Sequence, residues 1–487
     1  MSEPALPSNA AIGIAAIAAY LPRRRLSRAC IADANSWANP GLKARAKGHR
    51  ATCSHDEDSL TMAVAAARPV IDSVGSASAP GSLVFASTTA PFADRQNATL
   101  IGEALSLPES ISSADVGGSL RCASSALIQA MQRSESTLLL ASDQRKAQPA
   151  SAAEMINGDG ATALLTGQED LLAIFLASHS VSIDLTDHYR SQQNSFDYQL
   201  EERWVRDEGY LKIIPDAIQA LLNRQGLSGD CIDHLLVAGP DQRSIARIAR
   251  RCGISEDAAH SNLRNDCGDT GSAHLLLMLA YALEQSRPGD KLLLANFSQG
   301  CDVLLFEATE RVLELVEQQP VSTMLTSGVE DSNYQRYLSF NGLVELDWGM
   351  RAERDNRTAH SAFYRHRKSV SGFIGGRCQV CNTPQFPRKP FCTNPECRHL
   401  DTQIDEPFKD KAAAVKSYTE DWLALSYNPP LMYGNVRFEG GGVVMMEFAD
   451  FQPGEINVGT PLSMSLRIKE QDTKRGFKRY FWKATPA

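Results

Sequence analysis

Short apolar runs alternate with amphipathic stretches along most of the chain, up to about residue 310. Runs rich in Val, Ile, Leu and Ala are typical of strands buried on both faces, and helical stretches between them are typical of βα units. The clearest strands are predicted at 12–18, 82–86, 137–141, 234–238 and 291–295. The two halves of this region meet near residue 170 and follow one pattern. The pattern predicts a duplicated α/β architecture.

A different pattern follows this region. Residues 320–345 show weak periodicity and predict a linker, and a helix rich in Arg and His is expected over 351–369. Short alternating strands separated by Gly and Pro then suggest a small β-barrel of the OB type, at 414–418, 433–438, 443–448, 461–468 and 480–483. The predicted organisation is two α/β halves (1–170 and 171–320), a linker (321–346), a helix with a cysteine cluster (347–402) and a barrel (403–487).

One early apolar run and the number of cysteines indicate the cellular compartment of the protein. The only early apolar run, 10–21, has no basic residue before it and is followed by Arg23, Arg24 and Arg25, which is the reverse of a signal peptide. The run is also shorter than the ~20 residues that a membrane span requires. The 11 cysteines in a chain of 487 residues therefore indicate free thiols and a metal site in a cytoplasmic protein, not a disulfide framework.

Charge is distributed unevenly along the chain. Of the 49 Lys and Arg, 21 lie from Asp347 onward, against 16 of the 57 Asp and Glu, so this part carries +5 and the rest, with 28 against 41, carries -13. A basic module binds nucleic acid or, equally, the phosphates of a cofactor such as coenzyme A. The charge alone leaves both interpretations open.

Four cysteines have the spacing of a metal site. GRCQVC and FCTNPEC place Cys378, Cys381, Cys392 and Cys397 in a C-x2-C-x10-C-x4-C pattern. Four thiolates close a tetrahedron around Zn²⁺ and leave no position for a reactive water, so the predicted zinc site is structural. Buried or redox cysteines, or a rubredoxin-type iron, are the alternatives. His399 is expected to be a surface residue and not a ligand.

The segment 115–127 (DVGGSLRCASSAL) runs from a predicted strand into a helix. It resembles the turn before the buried helix of the thiolase superfamily, in the branch of ketoacyl synthase III and hydroxymethylglutaryl-CoA synthase. GDGATALLTG (158–167), GDTGSAH (268–274) and GDKLLLANFSQGCDVLLFE (289–307) are similar to later parts of that branch, in the expected order. The resemblance implies a thiolase-like fold of duplicated βαβαβ layers and chemistry on acyl thioesters.

The C-terminal part resembles the zinc-ribbon plus OB-fold (DUF35-type) proteins that accompany acyl-CoA enzymes. The likeness lies in the four cysteines, in the segment 417–442 and in the ending YFWKATP. This resemblance implies a protein that binds acyl-CoA beside a thiolase partner subunit, as a dimer or hetero-oligomer. Candidates to hold the phosphates of coenzyme A are Lys474, Arg475, Lys478 and Arg479.

Condensing enzymes of this fold carry a nucleophilic thiolate at a helix N-terminus, which lowers the thiol pKa, and Cys122 lies in that neighbourhood. In the resembling families, however, the nucleophile falls five residues after the strand Asp. Counting from Asp115 gives Leu120. Two residues along a helix turn a side chain by roughly 200°, so Cys122 is either a displaced nucleophile or a small buried thiol that packs the helix.

Three further groups of the resembling families are replaced. Gly239 stands at the family histidine, Asp269 at the asparagine and Thr88 at the glutamate of the synthase branch. His274 and Asp269 are candidates for a base and its orienting group that serve Cys122 or Cys267, and a capped helix start is the alternative. These replacements put independent catalysis in doubt.

The stretch from 187–190 (DHYR) to 201–210 is crowded with charged and aromatic residues. It is interpreted either as the border of an active cleft or partner surface, or as a solvated helix and loop.

Three functions remain for the whole chain. The first is a partner subunit of an active thiolase in an acyl-CoA carbon-carbon bond forming or cleaving system, with the zinc and barrel module binding acyl-CoA. The second is a stand-alone acyltransferase that uses Cys122. The third is nucleic-acid binding by a zinc ribbon and an OB barrel.

Overall fold

The computed structural model describes residues 11–75 and 79–487. Residues 1–10 and 76–78 of the predicted first half lie outside the described residues. The strands, numbered along the chain, are β1 (Gly13–Tyr20), β2 (Arg24–Ser27), β3 (His49–Thr52), β4 (Ser82–Ala86), β5 (Ser112–Val116), β6 (Thr137–Gln144), β7 (Asp159–Gly167), β8 (Ala173–Ser182), β9 (His188–Tyr189), β10 (Tyr198–Gln199), β11 (His234–Ala238), β12 (Lys291–Phe297), β13 (Gly300–Ala308), β14 (Val329–Asp331), β15 (Ile374–Cys378), β16 (Pro384–Gln385), β17 (Gln403–Pro407), β18 (Ala413–Asp421), β19 (Leu431–Phe438), β20 (Val443–Glu447), β21 (Pro461–Asp472) and β22 (Phe477–Pro486).

The α-helices are α1 (Arg28–Asn35), α2 (Ser59–Val74), α3 (Asn97–Leu105), α4 (Cys122–Ala130), α5 (Ala152–Ile156), α6 (Glu202–Trp204), α7 (Ile214–Gln225), α8 (Gln242–Arg251), α9 (His274–Leu283), α10 (Val312–Gln318), α11 (Pro320–Thr326), α12 (Tyr334–Phe340), α13 (His360–Arg365) and α14 (Arg367–Val370). A π-helix, Val205–Ile213, lies between α6 and α7. Among the described helices, none combines the length and apolarity needed to cross a bilayer.

The chain divides into two compact units. Among the described residues, the larger unit comprises 11–52, 66–75, 79–98 and 111–334, and the smaller unit comprises 53–65, 99–110 and 335–487. The smaller unit therefore takes two of its segments from the N-terminal part of the sequence.

A nine-stranded sheet forms the centre of the larger unit, in the order β11-β12-β13-β8-β1-β7-β6-β4-β5. In its first half β1 pairs antiparallel with β7, β7 antiparallel with β6, and β6 parallel with β4. In its second half β8, β13, β12 and β11 repeat these three pairings in the same order. The predicted duplication is thus confirmed by topology. The fold is a mixed α/β, thiolase-like arrangement.

Helices cover this sheet on both sides. In α9 nine of the ten residues are buried, and α9 packs with α4 in one apolar cluster. A helix that is apolar all round belongs in the interior. The helices α7 and α8 bury one face each in a second cluster, through Ile214, Ile218, Leu221, Ile245 and Ile248. Both clusters contain side chains of the sheet, so the strands are covered by helices in layers.

The predicted strands 82–86 and 234–238 coincide with β4 and β11, and those at 137–141 and 291–295 lie within longer strands. The predicted strand 12–18 begins one residue before β1. The predicted linker, 321–346, contains most of α11, β14 and α12. β14 pairs in parallel with β2, and Arg24 forms a 2.9 Å ion pair with Asp331 across the two strands. This region therefore has regular structure despite its weak hydrophobic periodicity, because β14 pairs with β2, a strand that is distant in the sequence.

The smaller unit contains two antiparallel sheets, a three-stranded one in the order β16-β15-β17 and a five-stranded one in the order β20-β19-β18-β21-β22. The five predicted C-terminal strands correspond to the five-stranded sheet. A bridge between Phe448 and Ala484 brings its two outer strands together. The assignment of this sheet to the OB type remains a prediction.

Phe373 stands at the centre of an aromatic cluster in the smaller unit and is fully buried. Its ring contacts Phe386 and Phe408 on one side and Phe438 and Trp482 on the other, with centroid distances of 4.8 to 6.4 Å. Aromatic pairs at such distances add about 0.5–1.5 kcal/mol each beyond the burial of their area. This cluster joins the three-stranded sheet to the five-stranded sheet.

Candidate functional site

A cavity of about 520 Å³ lies within the larger unit. Its wall is formed by the chain that follows the parallel strands β4 and β5, by the turn between β12 and β13, and by residues 188–197. Ligands of open α/β sheets bind outside the carboxyl ends of the strands, in pockets of roughly 300–1,000 Å³. The position and the size of this cavity both suit a small-molecule ligand.

Asp143, near the end of β6, organises one wall of the cavity. Its carboxylate accepts hydrogen bonds from the Ser87 hydroxyl (3.0 Å), from the backbone and hydroxyl of Thr88 (2.8 and 3.1 Å), from the Thr89 hydroxyl (2.9 Å) and from the Ser272 backbone (2.8 Å). These bonds fix Thr88, which lines the cavity. Sequence reasoning missed Asp143, although an acidic residue at the end of an apolar strand is a recognisable signal.

Cys122 is the first residue of α4 and is 3% exposed. Its side chain belongs to the apolar cluster between α4 and α9 and is not part of the cavity wall. Burial, and then the Asp143 carboxylate, raise the pKa of the thiol, so it stays protonated. Ser119, three residues earlier, does line the cavity, and Leu120 lies in the turn that leads into α4.

Asp269 is bound by two arginines. Its carboxylate forms a 2.8 Å ion pair with Arg264 and lies 3.9 Å from Arg145. Burial alone would raise the pKa of Asp269, but His274, Arg264 and Arg145 outweigh that effect and hold the pKa well below its usual range. Asp269 is therefore a permanent anion and a poor proton acceptor.

His274 begins α9 and is 1% exposed. Its Nδ1 accepts a hydrogen bond from the Thr270 backbone at 3.2 Å, and its Nε2 donates to the Asn262 carbonyl at 2.9 Å. Burial lowers the pKa of His274, so the imidazole is neutral. Both ring nitrogens have protein partners, so His274 joins the Thr270 backbone and the Asn262 carbonyl to the start of α9.

Gly239 is surrounded by Tyr210 and Arg264. A Cβ atom at Gly239 would lie 3.6 Å from the Tyr210 ring, and Arg264 donates a 2.5 Å hydrogen bond to the Gly239 carbonyl. Gly239 has φ of 110°, which favours glycine. The resemblance expects a histidine at position 239. In this structure the phenol of Tyr210 and the guanidinium of Arg264 lie beside Gly239, which carries no imidazole.

A chain of ion pairs runs from this region to the cavity wall. Arg145 pairs with Asp197 at 2.8 Å as well as approaching Asp269, and Asp197 also pairs with Arg190 at 2.7 Å. Burial raises the pKa of Asp197, but Arg145 and Arg190 more than offset it, so the pKa is lowered. Asp197 and Arg190 line the cavity. Buried pairs of this kind are costly to break, at about 3–5 kcal/mol for the loss of one partner.

The segment that begins at Asp187 contributes to the cavity, whereas the segment 201–210 continues into the π-helix. His188, Tyr189 and Arg190 line the cavity. The Nδ1 of His188 lies 2.9 Å from the carboxylate of Asp187. Tyr189 and Tyr198 face each other across the β9–β10 pair, with ring centroids 5.4 Å apart and ring planes tilted by 40°.

The four cysteines of the smaller unit come together. Their Sγ atoms all lie within 4.8 Å of one another, with 3.8 Å between Cys378 and Cys397 and 3.5 Å between Cys381 and Cys392. Zn–S bonds of 2.3 Å in a tetrahedron place the sulfurs about 3.8 Å apart. The residues therefore fit one tetrahedral metal ion. His399 Nδ1 lies 3.2 Å from Cys397 Sγ, outside the set of four.

The four cations predicted to hold coenzyme A phosphates lie at the turn between β21 and β22 and in the first part of β22. Arg475 forms ion pairs with Asp472 at 2.7 Å and with Asp355 at 3.2 Å. Lys478 pairs with Asp58 at 2.9 Å, and Arg479 pairs with Glu470 at 2.5 Å. Lys474 is exposed in the turn. A phosphate at this turn would have to compete with carboxylates for three of the four cations.

Comparison with known proteins agrees with the geometry of the larger unit. The profile of the family described as 3-oxoacyl-[acyl-carrier-protein (ACP)] synthase III C terminal matches residues 222–304. The chain is 26% identical over 356 residues to the hydroxymethylglutaryl-CoA synthase of Caldivirga maquilingensis, a match that covers 70% of this chain and 100% of that protein. It is 28% identical over 344 residues to the enzyme of the same name from Aeropyrum pernix, covering 68% and 94%.

Solved structures give the same fold. MvaS in complex with 3-hydroxy-3-methylglutaryl coenzyme A aligns with a TM-score of 0.59 and 17% identity, over 68% of this chain and 91% of that one. The 3-oxoacyl-(acyl carrier protein) synthase III of Pseudomonas aeruginosa PAO1 aligns with a TM-score of 0.54 and 21% identity, over 61% and 98%. The predicted thiolase-like fold is confirmed.

Proposed function

We propose that this chain is a component of an acyl-CoA carbon-carbon bond forming or cleaving system, of the hydroxymethylglutaryl-CoA synthase or β-ketothiolase kind. Curated relatives named hydroxymethylglutaryl-CoA synthase are matched over 94–100% of their length, and the cavity offers a volume that suits an acyl group with part of its carrier. The substrate is then a coenzyme A thioester.

The chain acts in this system as a partner subunit of an active thiolase. The observation that carries this proposal is the separation between the cavity and the cysteine. Cys122 is buried, protonated and outside the cavity wall, and Leu120 stands at the position of the family nucleophile. Acyl transfer through a thiol needs an accessible thiolate, so the acyl-enzyme step falls to another chain. A hetero-oligomer follows from this division of labour.

The smaller unit binds structural Zn²⁺ and docks acyl-CoA. Four cysteine thiolates hold the metal with no open coordination position, which excludes it from the reaction. Lys474 is the cation of the β21–β22 turn best exposed to receive a phosphate. If the nucleotide end of coenzyme A binds at this turn, its thioester end remains available to the active thiolase.

The experiment is an acyl-transfer assay with the purified full chain, alone and with a thiolase encoded beside it. Acetyl-CoA and acetoacetyl-CoA are the substrates, and covalent acylation is followed by intact-protein mass spectrometry. We expect turnover only in the presence of the partner and no acyl adduct on this chain. Turnover by the lone chain that Cys122→Ser abolishes would establish the stand-alone acyltransferase instead.

A further inference from the structure

Two adjacent residues at the cavity have the arrangement of a general base and its orienting carboxylate. His188 lines the cavity, and its Nδ1 lies 2.9 Å from Asp187 Oδ2. A carboxylate accepts and does not donate at neutral pH, so the proton of the neutral imidazole is on Nδ1 and the lone pair is on Nε2. The ring is therefore set in the tautomer that can take a proton.

The contacts around this pair hold it in place. The side chain of Asp187 is 10% exposed, and its second oxygen, Oδ1, has no hydrogen-bond partner among the described residues, so His188 is the partner of this carboxylate. The backbone of His188 pairs with Gln199 in the β9–β10 ladder, and its carbonyl accepts a 3.4 Å hydrogen bond from Gln299. The other charged groups near His188 are the ion-paired Asp197 and Arg190.

Ser298 is a second polar residue of the cavity wall. Ser298 is fully buried at the turn between β12 and β13, and its hydroxyl has no hydrogen-bond partner among the described residues. A buried hydroxyl without a partner costs about 1–3 kcal/mol. A ligand atom that accepts its hydrogen bond would recover this cost. The cavity thus holds a proton acceptor and a free donor.

We infer that His188 is the general base of this cavity and that it removes a proton from the carbon next to the carbonyl of a bound acyl-CoA thioester. The C–H bond breaks, the proton goes to Nε2 of His188, and the electron pair moves into an enolate whose charge lies on the thioester oxygen. The Ser298 hydroxyl donates to that oxygen. Asp187 is a positioning residue, which stabilises the resulting imidazolium. The inference rests on the proposed function, because it assumes that the cavity receives an acyl-CoA.

This assignment explains how a site without the family histidine keeps a base. Position 239 is a glycine and offers no imidazole, and both ring nitrogens of His274 already have hydrogen-bond partners. His188 has its Nδ1 oriented by a carboxylate and lies on the cavity wall. The base is thus supplied from the β9–β10 segment instead of from the turn after β11.

The test is hydrogen exchange, which needs neither a nucleophile nor a partner chain. The full chain is incubated with acetyl-CoA in D₂O, and loss of the methyl signal is followed by proton NMR, while calorimetry measures acetyl-CoA binding. We expect exchange by the wild-type chain and a loss of about 100-fold or more in His188→Asn, in the range of general-base effects. His179→Gln, at a histidine outside the cavity wall, should exchange at the wild-type rate.

Two further variants separate chemistry from folding. Asp187→Asn should lower the exchange rate with little change in acetyl-CoA binding, because the imidazole loses the carboxylate that holds its tautomer. Ser298→Ala should lower the rate by about 100-fold with little change in binding. Binding without exchange, or exchange that His188→Asn leaves intact, overturns the assignment while the proposed function stands. Failure of acetyl-CoA and acetoacetyl-CoA to bind at all overturns both.

Discussion

The environment of one sulfur atom decides what the larger unit can do. In a condensing enzyme the helix N-terminus and a base produce a thiolate that faces the substrate. Cys122 has the helix but lies in the apolar cluster beneath it, with the Asp143 carboxylate as its electrostatic neighbour. Both surroundings disfavour the thiolate, so the helix dipole does not activate this residue.

The reactivity of Cys122 should reflect this burial. In the folded chain we expect iodoacetamide to modify Cys122 about 100-fold more slowly than Cys231, an exposed thiol, because only an accessible thiolate reacts. Peptide mass spectrometry after timed labelling at pH 8 measures both rates in one sample. In 6 M guanidinium the two rates should converge. Equal rates in the folded chain would show that Cys122 is accessible and would revive it as a nucleophile.

Asp56 is a second residue whose surroundings determine its behaviour. Burial by itself would raise its pKa, but Lys483, His55 and Arg467 outweigh this and hold the pKa well below its usual range. The ammonium of Lys483 lies 2.9 Å from the Asp56 carboxylate and 2.8 Å from Glu447. A carboxylate with a lowered folded-state pKa stabilises the fold above its unfolded pKa of about 3.9 and loses that contribution as the pH falls toward the folded value.

The stability of the smaller unit should therefore fall with acid. Between pH 6 and pH 3.5 we expect the unfolding temperature of the wild-type chain to drop more steeply than that of Asp56→Asn, which cannot titrate at this position. Glu439→Gln, at an exposed carboxylate, should follow the wild-type slope. Calorimetric melts at four pH values provide the comparison. If wild type and Asp56→Asn lose stability in parallel, the carboxylate is not the titrating group.

The π-helix Val205–Ile213 determines the packing around Gly239. Val205–Ile213 places Gly209 against the Phe297 ring, where a Cβ would come within 2.7 Å, and places Tyr210 edge-on to the same ring at 5.2 Å. Departures from α-helical winding are often retained at functional sites. Here the extra residue per turn brings Tyr210 over Gly239.

Gly209 is the point at which this packing is most sensitive. In Gly209→Ala the new methyl group must displace the Phe297 ring, at a cost of about 1–3 kcal/mol in the free energy of unfolding. Chemical denaturation with urea measures the change. The control is Glu208→Ala at the partly exposed neighbouring position, which removes only a surface ion pair with Lys212. A Gly209→Ala chain as stable as the wild type would mean that the ring moves freely and that the π-helix does not fix Tyr210.

Local patterning predicted the elements that depend on local sequence. The strands β4 and β11 are continuous apolar runs, and the four cysteines form a set because their spacing is that of a metal site. The sequence alone supplied only part of the evidence for the candidate base, His188. The crowded segment at 187–190 offered a cleft as one interpretation, but the cavity wall that His188 and Ser298 share depends on two turns that are more than 100 residues apart in the chain. Periodicity carries no information about such pairings.

The organisation of the chain as a whole was the hardest feature to predict. An acidic triplet, Asp56-Glu57-Asp58, belongs to the smaller unit, more than 400 residues from its partners. Arg467 contacts Glu57, and both Lys478 and the Tyr480 hydroxyl contact Asp58, at 2.9 and 2.8 Å. In the sequence this triplet precedes α2 of an α/β pattern. The cysteine-containing unit is therefore not an independent C-terminal module but a structure completed by an N-terminal segment.

This dependence predicts how fragments of the chain behave. Residues 335–487 expressed alone leave Arg467 and Lys483, both under 10% exposed, without two of their carboxylate partners. Removal of one partner from a buried ion pair costs about 3–5 kcal/mol, and two such losses are comparable with the whole stability of a domain, about 5–15 kcal/mol. We expect the zinc-loaded fragment to lack a cooperative melt, as followed by circular dichroism.

Joining residues 53–65 to its N-terminus through a flexible linker should restore the transition, and the same fusion with Asp56, Glu57 and Asp58 changed to Asn, Gln and Asn should not. A fragment that melts cooperatively without residues 53–65 would show that the acidic triplet is an accessory to this unit and not a part of its core.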